Sequence, residues 1–342
     1  MGMETVRIAP VTDQWLQHEA RKFNRKKIEE YLQHSPRLAP ATLQQYRSCL
    51  RIFAKWIHDY CGNKKIIDLK IRDGKAYQDW LLSHNGSTNN IKVKLAAASE
   101  LCEYIEKYYE EEYPAFRNPI RKGREAMVQT PRKEKHPITP EEFELLIKTL
   151  EKRQDYQRLC YLVLTYQTAC RRAESAQFER RIAKYSVEDM HYYQDAQGMN
   201  HNYFLSNSIR CKGAGKLGKV REFKISTDTM RYIRRWDKQR RELVNGLELG
   251  DDAANLFVHI DHSGVTDLTP AAFAYWFSDD FSKILGRNVH PHDLRTTRAT
   301  DLVVRQHKPI EAVSVMMGHN STETTKTFYV IDNHKDSDAT LI

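Results

Sequence analysis

His290-Pro291-His292-Asp293-Leu294-Arg295-Thr296-Thr297-Arg298-Ala299-Thr300 is the stretch from which this chain is best read. Proline suits the first turn of a helix, where its missing N–H is not needed, so Pro291 marks a helix start. His292 and Arg295 then stand about one turn apart on a common face, where a titratable imidazole and a permanent cation can reach the same group. Taken alone, such a pair is more often surface decoration. Leu302 and Val303 follow, however, and bury the helix, which argues for a fixed geometry.

Two further segments carry the same kind of chemistry. Thr168-Ala169-Cys170-Arg171-Arg172-Ala173-Glu174 ends an apolar helix that includes Leu159 to Tyr166. An arginine on a turn with a carboxylate three residues later is a fixed planar fork, suited to bidentate contact with phosphate oxygens. By itself the Arg171 and Glu174 pair is more often a structural ion pair. The second segment is Met316-Met317-Gly318-His319-Asn320-Ser321-Thr322-Glu323-Thr324-Thr325-Lys326-Thr327-Phe328-Tyr329. Gly318 and the polar run after it mark a turn between helices that brings His319 and Tyr329 back to one region. Tyrosine, with a pKa of about 10, is a poor nucleophile at neutral pH. It needs cations on the group it attacks and a base nearby.

The 342 residues favour two domains, each able to bury its own core. Hydrophobic residues at 40% and charged residues at 29% are ordinary for a soluble protein, but a formal net charge of +9 favours a polyanionic partner. A basic surface also serves solubility alone. No run approaches the ~20 apolar residues of a membrane span, and Met1 to Trp15 lacks the apolar core of a signal peptide, so a cytoplasmic location and no membrane partner are expected. Cys49, Cys61, Cys102, Cys160, Cys170 and Cys211 form no C-x-x-C pair and do not cluster with histidines at zinc spacing; they are expected as free thiols, with no metal site. Cys170 is expected to be a small buried side chain rather than a nucleophile.

Along the chain, residues 1–125 read as helical. From Pro40 to Tyr60, Leu43, Tyr46, Leu50, Phe53 and Ile57 form a core face, while Arg47, Arg51 and Lys55 align on another side. That stripe is a candidate phosphate contact, or simply a solvated face. A second helix is expected from Ser87-Thr88-Asn89-Asn90 to about Tyr109, with Lys92 and Lys94 in its first two turns. Asn118-Pro119 ends the helical region. The basic run from Ile120 to Pro137, with Arg121, Lys122, Arg124, Arg132, Lys133 and Lys135, is read as the interdomain linker, its bounds between the two domains set at residues 126–137. Residues 138–342 form the second domain, opening on the capping box of Thr139-Pro140-Glu141-Glu142. Three strand-like runs between Tyr185 and Ser226 predict a small antiparallel sheet inside a mainly α domain, followed by helices with loops near Gly250, Gly264 and Gly286 and a tail from Val330.

In combination the three segments resemble the tyrosine recombinase/integrase family of site-specific DNA recombinases. Thr168 to Glu174 resembles that family's first box, His290 to Thr300 its second and Gly318 to Tyr329 its terminal one. Residues 1–125 are similar, more weakly, to its helical core-binding domain. The resemblance implies a two-domain, C-shaped clamp on duplex DNA, a homotetramer on paired recombination sites, room for an accessory DNA-bending or directionality factor, and cleavage without cofactor. It implies that Arg171 and Arg295 bind the scissile phosphate, His292 handles protons, His319 supports phosphate and nucleophile, and Tyr329 attacks. Glu174 would orient Arg171. Lys212, in Arg210-Cys211-Lys212-Gly213, resembles the hairpin lysine that protonates the departing 5′ oxygen, with Lys216 and Lys219 as competitors. Arg47, Arg51, Lys55, Lys92, Lys94, Arg121 and Lys122 are the candidate DNA contacts.

The chain departs from the family pattern at Ala169, where Gly is usual, at Thr296, where His is frequent, and at Phe328, where many members place the nucleophile. Two other classes stay open at this point: a type IB topoisomerase, and a DNA-binding protein without catalysis. The H-P-H-D-L-R box and the helical first domain speak against the former, and the full set of reactive residues against the latter.

Overall fold

The computed structural model describes residues 8–35, 38–84, 87–128, 136–195, 198–213, 218–319 and 321–329, the last three as backbone only. The chain divides into one compact unit at Met1–Lys133 and a second comprising Glu134–Gly213 and Gly218–Ile342.

The first unit is helical: α1 (Asp13–His18), α2 (Lys22–Gln33), α3 (Pro40–Tyr60), α4 (Ile71–Ser83), α5 (Thr88–Tyr108) and α6 (Pro119–Gly123). In α3 the expected apolar face is realised, with Leu50, Phe53 and Ile57 fully buried and Leu43 and Tyr46 at its margin. Ser87 caps α5 by accepting from the Asn90 N–H. The segment after Asn118 corrects the sequence expectation. Instead of ending the helical region, buried Asn118 caps α6, its Oδ1 accepting from the N–H groups of Ile120 and Arg121. Gly74 and Gly123 let α4 and α6 meet backbone to backbone, since a Cβ on Gly74 would lie 2.1 Å from the Pro119 carbonyl oxygen. Arg121 and Lys122 therefore belong to a packed helix and not to a linker. Arg132, Lys133 and Lys135 lie outside the described residues.

The second unit opens with α7 (Pro140–Lys152), whose capping box forms as expected, Thr139 Oγ1 accepting from the Glu142 N–H and Glu142 from the Thr139 N–H. Then come α8 (Tyr156–Thr168), α9 (Arg172–Ser175), the strands β1 (His191–Gln194), β2 (Asn200–Leu205), β3 (Ile209–Cys211), β4 (Lys219–Arg221) and β5 (Lys224–Ser226), and α10 (Thr227–Gly246). The single sheet expected here is two: β1-β2-β5 and the hairpin β3-β4, each antiparallel. A further hairpin, β6 (Val258–Asp261) and β7 (Gly264–Asp267), occupies a stretch read from sequence as loop. The chain ends through α11 (Pro270–Tyr275), a π turn at Trp276–Phe281, α12 (Ser282–Leu285), α13 (Pro291–Thr300), a π turn at Asp301–Arg305, α14 (Ile310–Met317) and α15 (Thr322–Tyr329). The main core of this unit gathers α8, α10, α11 and the sheets around Tyr161, Phe178, Trp236, Phe273 and Phe277. A smaller cluster of Ala169, Ala299, Leu302, Val313 and Met317 locks α13 and α14 onto the end of α8. That cluster lies directly beneath the candidate site.

Candidate active site

Helix α8 ends on Ala169, which adopts a left-handed backbone with φ 50°. An L residue there costs roughly 1–2 kcal/mol. Ala169 is fully buried in the small apolar cluster, and its methyl contributes about 0.8 kcal/mol of burial, which offsets much of the strain. This packing accounts for alanine where glycine is usual. The turn delivers Arg171 to the N-cap of α9, where Glu174, only 2% exposed, accepts from the Arg171 N–H at 2.7 Å and from its Nη1 at 2.9 Å. One carboxylate thus fixes both backbone and guanidinium of Arg171, whose charge acts at His319.

Arg295 is buried, at 1% exposure, on α13. Its Nη1 donates to the Ala169 carbonyl at 2.5 Å and its Nη2 to the Met317 carbonyl at 2.6 Å. Both carbonyls are at helix C-termini, of α8 and α14, each equivalent to roughly half a negative charge. Together they approximate one carboxylate, which is how a guanidinium is tolerated at this depth.

Arg295 Nη2 also lies 2.8 Å from His319 Nε2, and His319 Nδ1 lies 2.8 Å from Thr325 Oγ1. A guanidinium only donates, so Nε2 accepts and the proton sits on Nδ1, donated to Thr325. Burial, followed by the charges of Arg295, Arg171, His292 and Arg221, lowers the His319 pKa to about 4. The imidazole is therefore neutral at pH 7. His292, exposed near the start of α13, is close enough to contribute to that potential.

Arg171, Glu174, His292, Arg295 and His319 are thus brought together. Lys212 follows β3 directly and is exposed. Its hairpin is clamped beside α9, because Gln177 Nε2 donates to the Arg210 carbonyl and Gln177 Oε1 accepts from the Arg210 N–H, both at 3.0 Å. Lys219 faces Cys211 across the hairpin, and Lys216 lies outside the described residues. Tyr329 is the last residue of α15, one helical turn beyond Thr325, and its side chain lies outside the described residues. Burial pushes the Cys170 and Cys211 thiols up to about 12 each, which suits the expectation of inert cysteines. All six cysteines are free. Among the described residues no cluster of His, Cys, Asp or Glu is placed to hold a metal ion.

The candidate DNA contacts of the first unit are mostly paired within it. Arg51 bonds Asp13 at 2.7 Å and Arg47 lies 3.8 Å from the same carboxylate. Lys55 meets Asp59 at 2.8 Å, Arg121 lies between Glu103 and Glu106, and Lys94 donates to Asn90 at 2.5 Å. Lys92 is half-buried and Lys122 exposed. Sequence reasoning missed Thr325, Gln177, Arg221 and the two carbonyls that hold Arg295. Thr325 was findable, lying in the polar run six residues after His319. The others are joined only by tertiary contacts.

Glu174→Gln should lower the rate of any reaction that uses Arg171 as a phosphate anchor by about tenfold, because a charge-assisted bond to the guanidinium becomes a neutral one. Single-turnover kinetics would check this, with DNA affinity expected to change little.

The phage integrase family model matches residues 136–335. The chain is 29% identical over 306 residues to the SPbeta prophage-derived recombinase-like protein YomM of Bacillus subtilis (strain 168), spanning 88% of this chain and 85% of that protein. In fold it is similar to the XerH site-specific recombinase bound to palindromic difH substrate in a post-cleavage complex, with a TM-score of 0.63 and 17% identity over 98% of this chain and 90% of that one. It is also similar to the Tn1549 transposon integrase in complex with transposon right end DNA, with a TM-score of 0.61 and 16% identity over 92% and 97% of the respective chains. Among the described residues no helix is long and apolar enough to cross a membrane.

Proposed function

Since the chain belongs to the phage integrase family, the tyrosine-type site-specific DNA recombinases, we propose that it cuts and rejoins duplex DNA through a 3′-phosphotyrosine formed on Tyr329. The observation that carries this reading is the continuous link from Arg295 to His319 to Thr325, on the helix that ends at Tyr329. Phosphate-binding cations and nucleophile segment are thereby built as one assembly.

In this reading the scissile phosphate enters beside Arg171 and Arg295, which hold its nonbridging oxygens as negative charge grows in the transition state. The phenol oxygen of Tyr329 attacks phosphorus in line, its proton passing to His292. The bond to the 5′ oxygen breaks, and Lys212 protonates that oxygen as it leaves. One phosphoester replaces another, so a 5′ hydroxyl from a partner strand can reverse the step without a nucleotide cofactor. The phosphate is also an acceptor that competes with His319 Nε2 for Arg295; once Nε2 is released, the imidazole proton shifts to it and is donated to the phosphate, while Nδ1 accepts from the Thr325 hydroxyl.

Residues 1–125 act as the core-binding domain and 138–342 as the catalytic domain, joined by 126–137. Arg47, Arg51, Lys55, Lys92, Lys94, Arg121 and Lys122 supply backbone contacts, and for Arg47, Arg51, Lys55 and Arg121 this requires exchange of their present carboxylate partners for phosphates. The working form is a homotetramer on paired sites, with an accessory DNA-bending or directionality factor, in the nucleoid-associated cytoplasm, and the outcome is integration, excision or resolution of DNA.

The test is a cognate half-site nicked beside the cleavage position, so that the short downstream fragment released with a 5′ hydroxyl diffuses away after attack. A denaturation-resistant protein–DNA adduct, with label transferred to an added 5′-hydroxyl strand, is expected. Binding without adduct on cognate sites would instead make the protein a DNA-binding module. Adduct with relaxation of supercoils by monomers and no strand transfer would make it a topoisomerase.

A further inference from the structure

Arg221, on β4, belongs to none of the three sequence segments that define the site. Its Nη2 donates to the Met316 carbonyl, one residue before the carbonyl that Arg295 holds. The last two carbonyls of α14 are thus gripped by two guanidiniums from different elements, one from α13 and one from the hairpin that carries Lys212. The side chain is half-buried and its plane lies over Phe223, with the guanidinium carbon 4.3 Å from the ring centroid. Its other terminal nitrogen, Nη1, is buried without a hydrogen-bond partner. That atom presses on Gly318: a Cβ built there would lie 2.3 Å from it. Gly318 has φ 67° and is the hinge residue immediately before His319.

We infer that Arg221 is a positioning residue for DNA cleavage, fixing the Gly318–His319 turn and tying the Lys212 hairpin to it. The inference rests on the recombinase reading and concerns the same site. Without Arg221 the end of α14 would keep only Arg295 as its clamp, so the turn that aims His319 would loosen. Hairpin and turn would then no longer move as one body. Arg221 adds to the potential at His319 after Arg295, Arg171 and His292, so its loss registers at the imidazole, while a loosened turn registers as slower cleavage by protein that is folded and still binds DNA. The groups that face this imidazole are Arg295 and His292 from α13, Arg171 from the α9 cap and Arg221 from β4, with Thr325 on its far side.

The experiment pairs two measurements on Arg221→Ala, Arg221→Lys and Arg221→Gln in the full chain. In the DNA-free protein, the His319 imidazole is titrated by NMR, its signal identified by its loss in His319→Gln. In the second, single-turnover adduct formation is measured on the nicked half-site. Arg221→Ala and Arg221→Gln should move the His319 midpoint upward, because a nearby cation has gone, while Arg221→Lys should leave it close to the wild-type position. Adduct formation should fall by about tenfold or more in the alanine variant, with half-site binding retained. Arg221→Gln keeps a donor for the Met316 carbonyl and serves if the alanine variant does not fold. Gly318→Ala gives an independent arm. In the wild-type background its methyl must displace Arg221, and in the Arg221→Ala background it meets open space, so the combined loss should be smaller than the product of the single losses. Wild-type cleavage by the folded Arg221→Ala and Arg221→Gln variants, whatever the His319 midpoint, or strictly multiplicative losses, would overturn the assignment. If the wild-type chain forms no adduct on any site, the recombinase reading fails, and the titration alone still decides whether Arg221 bears on His319.

Discussion

Tyr329→Phe should remove the covalent adduct altogether while changing half-site affinity by no more than about twofold. The substitution deletes one oxygen atom, the one that in the proposed reaction becomes bonded to phosphorus. Nothing in the binding of the intact phosphodiester requires it in the proposed mechanism, which assigns the phosphate to Arg295 on α13 and Arg171 at the α9 cap. Phe328, where many members of the family place the nucleophile, has no hydroxyl to offer in its stead. Gel-shift titration and denaturing gels on the same nicked half-site read both quantities. Residual adduct in the variant at more than trace level would mean that another residue attacks.

Arg295→Ala should produce the second largest effect, and it should be visible in two separate measurements. Arg295 is buried and its guanidinium bridges the Ala169 carbonyl, the Met317 carbonyl and His319. Its removal leaves two buried helix-terminal carbonyls without that donor and opens a cavity, at a cost on the order of 3 kcal/mol, or roughly 10 °C in Tm for a domain of this size. In the proposed mechanism it also removes a preorganised donor from the scissile phosphate, worth on the order of 100-fold or more in cleavage rate. Arg295→Lys separates the two. A lysine keeps the charge but cannot fork between two carbonyls and an imidazole, so cleavage should stay low even where calorimetry shows partial recovery of stability. A lysine variant with wild-type cleavage would contradict the bridging role.

Much of this site was legible because its residues lie in short, ordered segments whose local geometry follows from local rules. Pro291 starts its helix, Glu174 reaches the arginine three residues before it, and Gly318 takes the left-handed conformation that ends α14. The same holds for α3 and for the Thr139 capping box, where periodicity and capping act within one or two turns. The hairpins were harder. Lys219–Arg221 has three residues, too few for an alternating pattern to declare itself, and Val258–Asp261 with Gly264–Asp267 surrounds a glycine that reads equally well as a loop. Helix α6 is five residues long and exists because Asn118 caps it and Gly74 and Gly123 admit it against α4, none of which periodicity registers. The basic stripe on α3 was visible, but its neutralisation by Asp13 from another helix was not. Arg221 is the clearest case: its partner is a carbonyl 95 residues away, and a carbonyl has no signature in a sequence.

The identity of the residue that becomes joined to DNA tests the central claim most directly. After trapping on the nicked half-site, nuclease trimming and trypsin digestion, mass spectrometry should find the nucleotide remnant on the peptide Thr327 to Lys335, attached at Tyr329. Attachment at any other of the chain's 18 tyrosines, or at a serine or histidine, would contradict it.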